Sequence, residues 1–190
     1  MSKSPIAVLD ACILYSATLR DLFMWLTVRL AFQPKWTEHI HAEWMENLLE
    51  NRPELTRARL ERTRDLMNRW GRDWRVVDYE ALIDTLTLPD KDDRHVLAAA
   101  VASKASVIVT FNLSDFPKRA LDPLGVRAVH PDQFLCELFD KDPALFVMAI
   151  HDQLDALTNP PHTLDDLCGK FRLEHITKLP KKLEAYREEF

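Results

Sequence analysis

Five oxygen-bearing side chains draw attention first: Asp10, Glu43, Asp93, Asn112 and Asp115, spread along a chain of 190 residues. Carboxylates gathered at one spot repel one another and hold their protons more tightly. Hard divalent cations relieve that cost. Mg²⁺ and Mn²⁺ prefer oxygen ligands in octahedral geometry and keep several waters. Two such ions can activate a water and stabilise the leaving oxygen of a phosphodiester. That chemistry requires the five groups to meet, so the question passes to the elements that carry them.

Ile6-Ala7-Val8-Leu9 is a continuous apolar run that predicts a strand buried on both faces, and it ends on Asp10. Ligand sites of open parallel α/β sheets lie beyond the carboxyl ends of the strands. Ser106-Val107-Ile108-Val109-Thr110 is a second such run, followed by Asn112 and Asp115. Gly125 to Val129 predicts a third strand. Between them, apolar spacing predicts a helix from about Ser16 to Ala31, a break or very short strand at Pro34-Lys35-Trp36, and a helix from a Thr37 N-cap to about Glu50. Glu43 falls at the edge of that helix's apolar stripe of Ile40, Trp44 and Leu48. Pro53 opens a further predicted helix to about Trp70, with Leu60, Thr63, Met67 and Trp70 as its stripe. Arg75-Val76-Val77 reads as a short strand, and Tyr79 to Leu86 as a short helix. Val96, Leu97, Ala100 and Val101 repeat at helical spacing from Asp93, which places that acid in a first turn on the buried face.

The order of strands and helices is α/β with a mainly parallel sheet. Pro131 starts a helix to about Phe139, and the composition changes at about Asp140. Asp142 to Leu157 is helical, Asn159-Pro160-Pro161 is a hinge, and two more helices follow Thr163 and Leu173. The division expected is therefore 1–139 for an α/β domain and 140–190 for a helical extension.

Bulk properties narrow the classes. The content of 47% hydrophobic and 29% charged residues is that of a globular protein. Apolar stretches are too short to cross a bilayer, and residues 1–9 lack the pattern of a secretory leader. Three cysteines without paired metal spacing predict reduced thiols and a cytoplasmic location. Only three glycines argue against any Gly-rich phosphate loop. The net charge of −5 is unlike that of a protein held to nucleic acid by its overall field, unless cations bound among the carboxylates supply positive charge locally.

Each residue has a plainer reading. Asp10 fits a helix cap, Asp93 a first-turn acid favoured by the helix dipole, Glu43 a solvated helix residue, and Asp115 a turn residue. His41 and His95 stand isolated in sequence, without a histidine pair at zinc spacing. Cys12 suits a small buried filler. The seven arginines between Arg52 and Arg72 suit a solvated helix face.

The joint order of the segments carries more than any one of them. Val8-Leu9-Asp10-Ala11-Cys12-Ile13-Leu14 resembles the opening of PIN domains. Thr37 to Leu48 with Glu43, Asp92-Asp93-Arg94-His95-Val96-Leu97-Ala98-Ala99-Ala100, and Val107 to Phe116 resemble their second, third and fourth acidic segments. Asn159-Pro160-Pro161 followed by Leu164-Asp165-Asp166-Leu167 resembles the C-terminal helical extension of a subgroup of VapC-like toxins.

The resemblance implies a three-layer α/β/α PIN-like fold and an endoribonuclease dependent on Mg²⁺ or Mn²⁺, typically the toxin of a type II toxin–antitoxin pair. It implies catalytic roles for Asp10, Glu43, Asp93 and Asp115, and metal ligation by Asp10, Asp93, Glu43, Asn112 and Asp115. Asp10 and Asp93 would hold the principal ion, and Glu43 would orient or deprotonate the attacking water. Many members carry an acid where this chain has Asn112, so Asn112 and Asp115 are alternatives for the fourth place. Thr110 would support the ligands by hydrogen bonds. Arg20, Lys91, Arg94 and Lys118 are candidates for the RNA backbone. The expected partners are an RNA substrate, a cognate antitoxin that inserts Arg or Lys among the carboxylates, and a second copy in a homodimer, with no membrane. The competing readings are a structure-specific DNA nuclease and a non-catalytic PIN-fold module for a basic partner segment.

Overall fold

The computed structural model describes residues 4–190; the first three residues of the stretch read as lacking a leader lie outside it. Four short strands form one parallel sheet: β1 (Ile6–Leu9), β2 (Gln33–Lys35), β3 (Val107–Val109) and β4 (Arg127–Val129), in the order β2-β1-β3-β4. Ala7 pairs with Val107 and Pro34, and Val109 with Val129. The two central strands are the two continuous apolar runs. They are flanked by neighbours on both edges, and Ala7 to Leu9 and Val107 to Val109 are buried.

Helices alternate with the strands: α1 (Ala11–Tyr15), α2 (Ala17–Val28), α3 (Glu38–Asn51), α4 (Arg57–Trp70), α5 (Glu80–Ile83), α6 (Arg94–Ser103), α7 (Lys118–Leu121) and α8 (Pro131–Lys141). Two local expectations change and one helix is added. The helix predicted from Ser16 is α2, and the short helix α1, which was not predicted, precedes it. The Asp10 carboxylate caps α1, and the Ser16 hydroxyl accepts from the Leu19 N–H to start α2. Pro53 does not open α4; Thr56 does, by accepting from the Arg59 N–H, because a hydroxyl at the cap satisfies a donor that Pro cannot. Residues 75–77 are not a strand; only Arg75 bridges to Trp36, and the Val76 N–H donates to the Trp36 carbonyl. The Thr37 cap of α3 is as expected, with its Oγ1 accepting from Ile40 N–H at 3.0 Å.

The C-terminal stretch folds as α9 (Pro143–Ala156), α10 (Leu164–Leu173) and α11 (Lys178–Ala185). It docks closely on the α/β part. Helix α9 lies along α2, where Arg29 forms a two-pronged ion pair with Asp152 at 2.6 and 2.8 Å. Helix α11 lies along α8. The buried Asp132 carboxylate of α8 accepts from the backbone N–H groups of Thr177, Lys178 and Leu179. Those donors at the start of α11 have no partner within their own helix, so an acid on a neighbouring helix serves as their cap. No helix among the described residues is long and apolar enough to cross a membrane.

Candidate functional site

Strands β1 and β3 run side by side, so Asp10 and Thr110 leave the sheet at the same edge. The Thr110 hydroxyl donates to Asp10 Oδ2 at 2.6 Å. Asp10 is 2% exposed; its Oδ1 accepts from the Ala11 N–H at 2.7 Å, and the Cys12 thiol donates to Oδ2 at 3.2 Å. Thr110 Oγ1 in turn accepts from the Asn112 N–H at 3.0 Å. One hydroxyl therefore couples the first acid to the segment bearing Asn112 and Asp115. Burial raises the Asp10 pKa above the ordinary carboxylate value, against the lowering effect of these hydrogen bonds. Burial and then the Asp10 charge push the Cys12 thiol up to about 12, which leaves Cys12 a protonated donor rather than a nucleophile.

Asp93 precedes α6 and makes no side-chain cap bond there. Its carboxyl is held up to about 7, first by burial and then by the charges of Asp10, Asp115, Asp90 and Glu43. Acids separated by up to 105 positions in sequence thus act on one carboxyl group. Asp115 lies in a single 3-10 turn, Leu113–Asp115, with its N–H on the Asn112 carbonyl at 3.1 Å. Asn112 is exposed, and its side chain makes no hydrogen bond among the described residues. Of the two alternatives for the fourth place, Asp115 is the one whose charge reaches Asp93.

Glu43 is positioned by a residue read from sequence as isolated. Its Oε2 lies 3.3 Å from His95 Nε2, and the His95 ring stacks on His39 at 3.8 Å. His95 is in the first turn of α6 and buried, while His39 and Glu43 sit one turn apart on α3. The only sequence trace of this is their i, i+4 spacing on α3. His41, by contrast, is a buried structural residue, bonded to Asn68 and accepting from the Trp44 indole N–H at 3.0 Å.

The basic candidates differ in surroundings. Lys91 and Lys118 are exposed. Arg94 is half-buried with an unpartnered Nε. Arg20 is turned inward: Nη1 donates to the Leu14 carbonyl at 2.6 Å, and the guanidinium lies 5.0 Å over the Trp44 ring. It also lines a cavity of about 570 Å³ shared with Trp25, Trp70 and Lys170, which none of the five acids and amides enters.

The donor set is all oxygen apart from the histidine behind Glu43. Among the described residues, no three His, Cys, Asp or Glu side chains stand close enough to hold one ion by themselves. Two carboxylates completed by water suit Mg²⁺, which is commonly bound that way, better than Zn²⁺. The crowding of negative charge around Asp93, with no lysine or arginine paired to it among the described residues, fits a group that brings positive charge.

Comparison with known proteins bears on the family. Residues 131–181 match the VapC50 C-terminal domain. A protein of Mycobacterium tuberculosis (strain ATCC 25618 / H37Rv) named "Putative ribonuclease VapC50" is 46% identical over 81 residues, covering 41% of this chain and 48% of the relative. The chain thus spans about half the length of that curated relative. No solved structure matches. Residues 7–114, which hold β1, β3 and all the acids gathered around Asp93 except Asp115, match the PIN domain, and the chain belongs to the PIN domain family.

Proposed function

We propose that this protein is a metal-dependent endoribonuclease, the toxin of a type II toxin–antitoxin pair, with residues 1–139 as the nuclease and 140–190 as its helical extension. The observation that carries this reading is the gathering of Asp10, Asp115, Asp90 and Glu43 around Asp93, whose carboxyl is held at about 7 first by burial and then by those charges. So many mutually repelling acids are costly to keep unless a bound cation uses them. Asp10 and Asp93 would hold the ion, with Asp115 or Asn112 on the second side. A divalent ion here supplies Lewis-acid stabilisation of phosphoryl oxygens and a lowered pKa for water.

The chain's own residues do the rest. Thr110 and the Ala11 N–H fix the Asp10 carboxylate so that it need not reorganise when charge develops. Glu43, 39% exposed and steadied by His95, is placed to accept a proton from water at the rim. A basic antitoxin side chain inserted among the same acids would inhibit by taking the cation's place.

The test is cleavage of a mixed RNA pool. Activity is expected with Mg²⁺ or Mn²⁺ and is expected to vanish in EDTA and in Asp10→Asn and Asp93→Asn. Equal activity in all of these would overturn the metal mechanism. Cleavage of flapped DNA in preference to RNA would replace it with a DNA nuclease.

A further inference from the structure

The α10–α11 turn of the extension is fastened to the carboxyl edge of the sheet at two points. The Glu174 carboxylate accepts from the Ser16 hydroxyl, just after α1. Thr177, Lys178 and Leu179 are tied to Asp132, just inside α8. Ser16 lies six residues beyond Asp10, about 9 Å at the rise of a helix. At the other end His130, the residue after β4, packs edge-on against Phe111 at 5.1 Å, and Phe111 follows Thr110. The turn therefore borders the acidic edge and is held there by the Glu174 carboxylate and by the backbone of residues 177–179, which leaves the side chains of His175 and Lys178 free.

Those side chains are a lysine and a histidine. Lys178 and His175 are exposed, and neither forms a salt bridge among the described residues. His130 Nδ1 accepts from the Asp132 N–H at 3.2 Å, so its proton sits on Nε2, which has no partner among the described residues. Burial chiefly lowers the His130 pKa, and Lys178 and His175 lie close enough to the ring to lower it further. The nearby acids are already engaged: Asp132 by three N–H groups, Glu174 by Ser16, and Asp140 by Lys182. A set of unpaired donors beside a half-buried aromatic ring suits a single-stranded nucleic acid, whose phosphates take the charges and whose bases stack.

We infer that the α10–α11 turn forms one bank of the RNA path, with Lys178 and His175 contacting backbone phosphates, His130 Nε2–H donating to a phosphoryl oxygen, and Phe111 offering a stacking face. This rests on the ribonuclease reading for its substrate and assigns the extension a part in binding it.

The experiment measures cleavage of a fluorescent single-stranded RNA by the full chain with Mg²⁺, and, separately, RNA binding by Asp10→Asn in EDTA, each across a salt series. Lys178→Glu is expected to raise KM about tenfold with kcat unchanged, and to reduce the salt slope of binding by about 1. Lys178→Arg is expected to restore both. Lys141→Glu, at the far end of α8, is expected to change neither. An unchanged KM and salt slope in Lys178→Glu, beside an active wild type, overturns the inference alone. A wild type that cuts no RNA yet loses affinity through Lys178→Glu overturns the ribonuclease reading and upholds the binding surface.

Discussion

Glu43 Oε2 and His95 Nε2 face each other at 3.3 Å across the junction of α3 and α6. The imidazole is 4% exposed and backed by His39, whereas the carboxylate reaches the surface. His95 is thus a positioning residue for Glu43. In His95→Leu the carboxylate loses its partner, and kcat is expected to fall about tenfold with KM and melting temperature little changed. His95→Gln keeps a donor nitrogen and is expected to stay within a few-fold of wild type. Glu43→Gln removes the proton acceptor itself and is expected to cost on the order of 10² in kcat. Equal kinetics for His95→Leu and wild type would show that Glu43 needs no support.

Thr110 bridges the two central strands through Asp10, as well as accepting from Asn112. Thr110→Val keeps the shape but removes the donor to a buried carboxylate. Hydrogen bonds to charged groups contribute roughly 1.5–3 kcal/mol, so a loss of that order is expected in urea unfolding. Activity is expected to fall with it, since Asp10 Oδ2 would then be held only by the weaker Cys12 thiol. A variant as stable and active as wild type would mean that Ala11 and Cys12 suffice to hold the acid.

Asp93 links stability to pH. Its folded pKa of about 7 lies above the ordinary value of 3.8, so the folded state binds the proton more tightly than the unfolded chain. The resulting stabilisation is complete below about 4 and is lost as pH rises through 7. Asp10, also raised, acts in the same direction. In EDTA the melting temperature is therefore expected to be lower at pH 8 than at pH 5.5, and Asp93→Asn is expected to flatten the difference. Mg²⁺ is expected to raise the pH 8 value most, because there it meets ionised carboxylates. A pH dependence of the melting temperature that Asp93→Asn leaves unchanged would contradict the crowding, since His39, His41 and His130, whose pKa values burial lowers, contribute to it in the opposite direction.

Asp132 fastens the extension. In Asp132→Ala three backbone donors at the start of α11 lose their acceptor. A loss of about 1–3 kcal/mol is expected, together with faster hydrogen exchange at 177–179. Protection unchanged at those amides would show that apolar packing of Leu179 and Leu183 on α8 holds the helix alone.

Much of this was legible along the chain. The buried runs at 6–9 and 107–109 announce two central strands by composition, since only strands covered on both faces tolerate unbroken apolar sequence. Parallel pairing then sends Asp10 and Thr110 to one edge without further information. The short helix α1 before Ser16 and the cap at Thr56 were less visible, because each competes with a neighbouring stretch of equally good local preference, and long-range packing decides.

What the sequence by itself determined is the order of acids, strands and helices, and with it the class of chemistry. Those follow from periodicity and residue type, which are local. Tertiary structure alone decided that His95 stands behind Glu43, that Arg20 turns inward to Leu14 and Trp44, and that Asp132 caps a helix some 45 residues away. These are contacts between elements whose relative rotation no spacing rule contains. They are settled only when the whole apolar surface is buried and each buried polar group has found its partner.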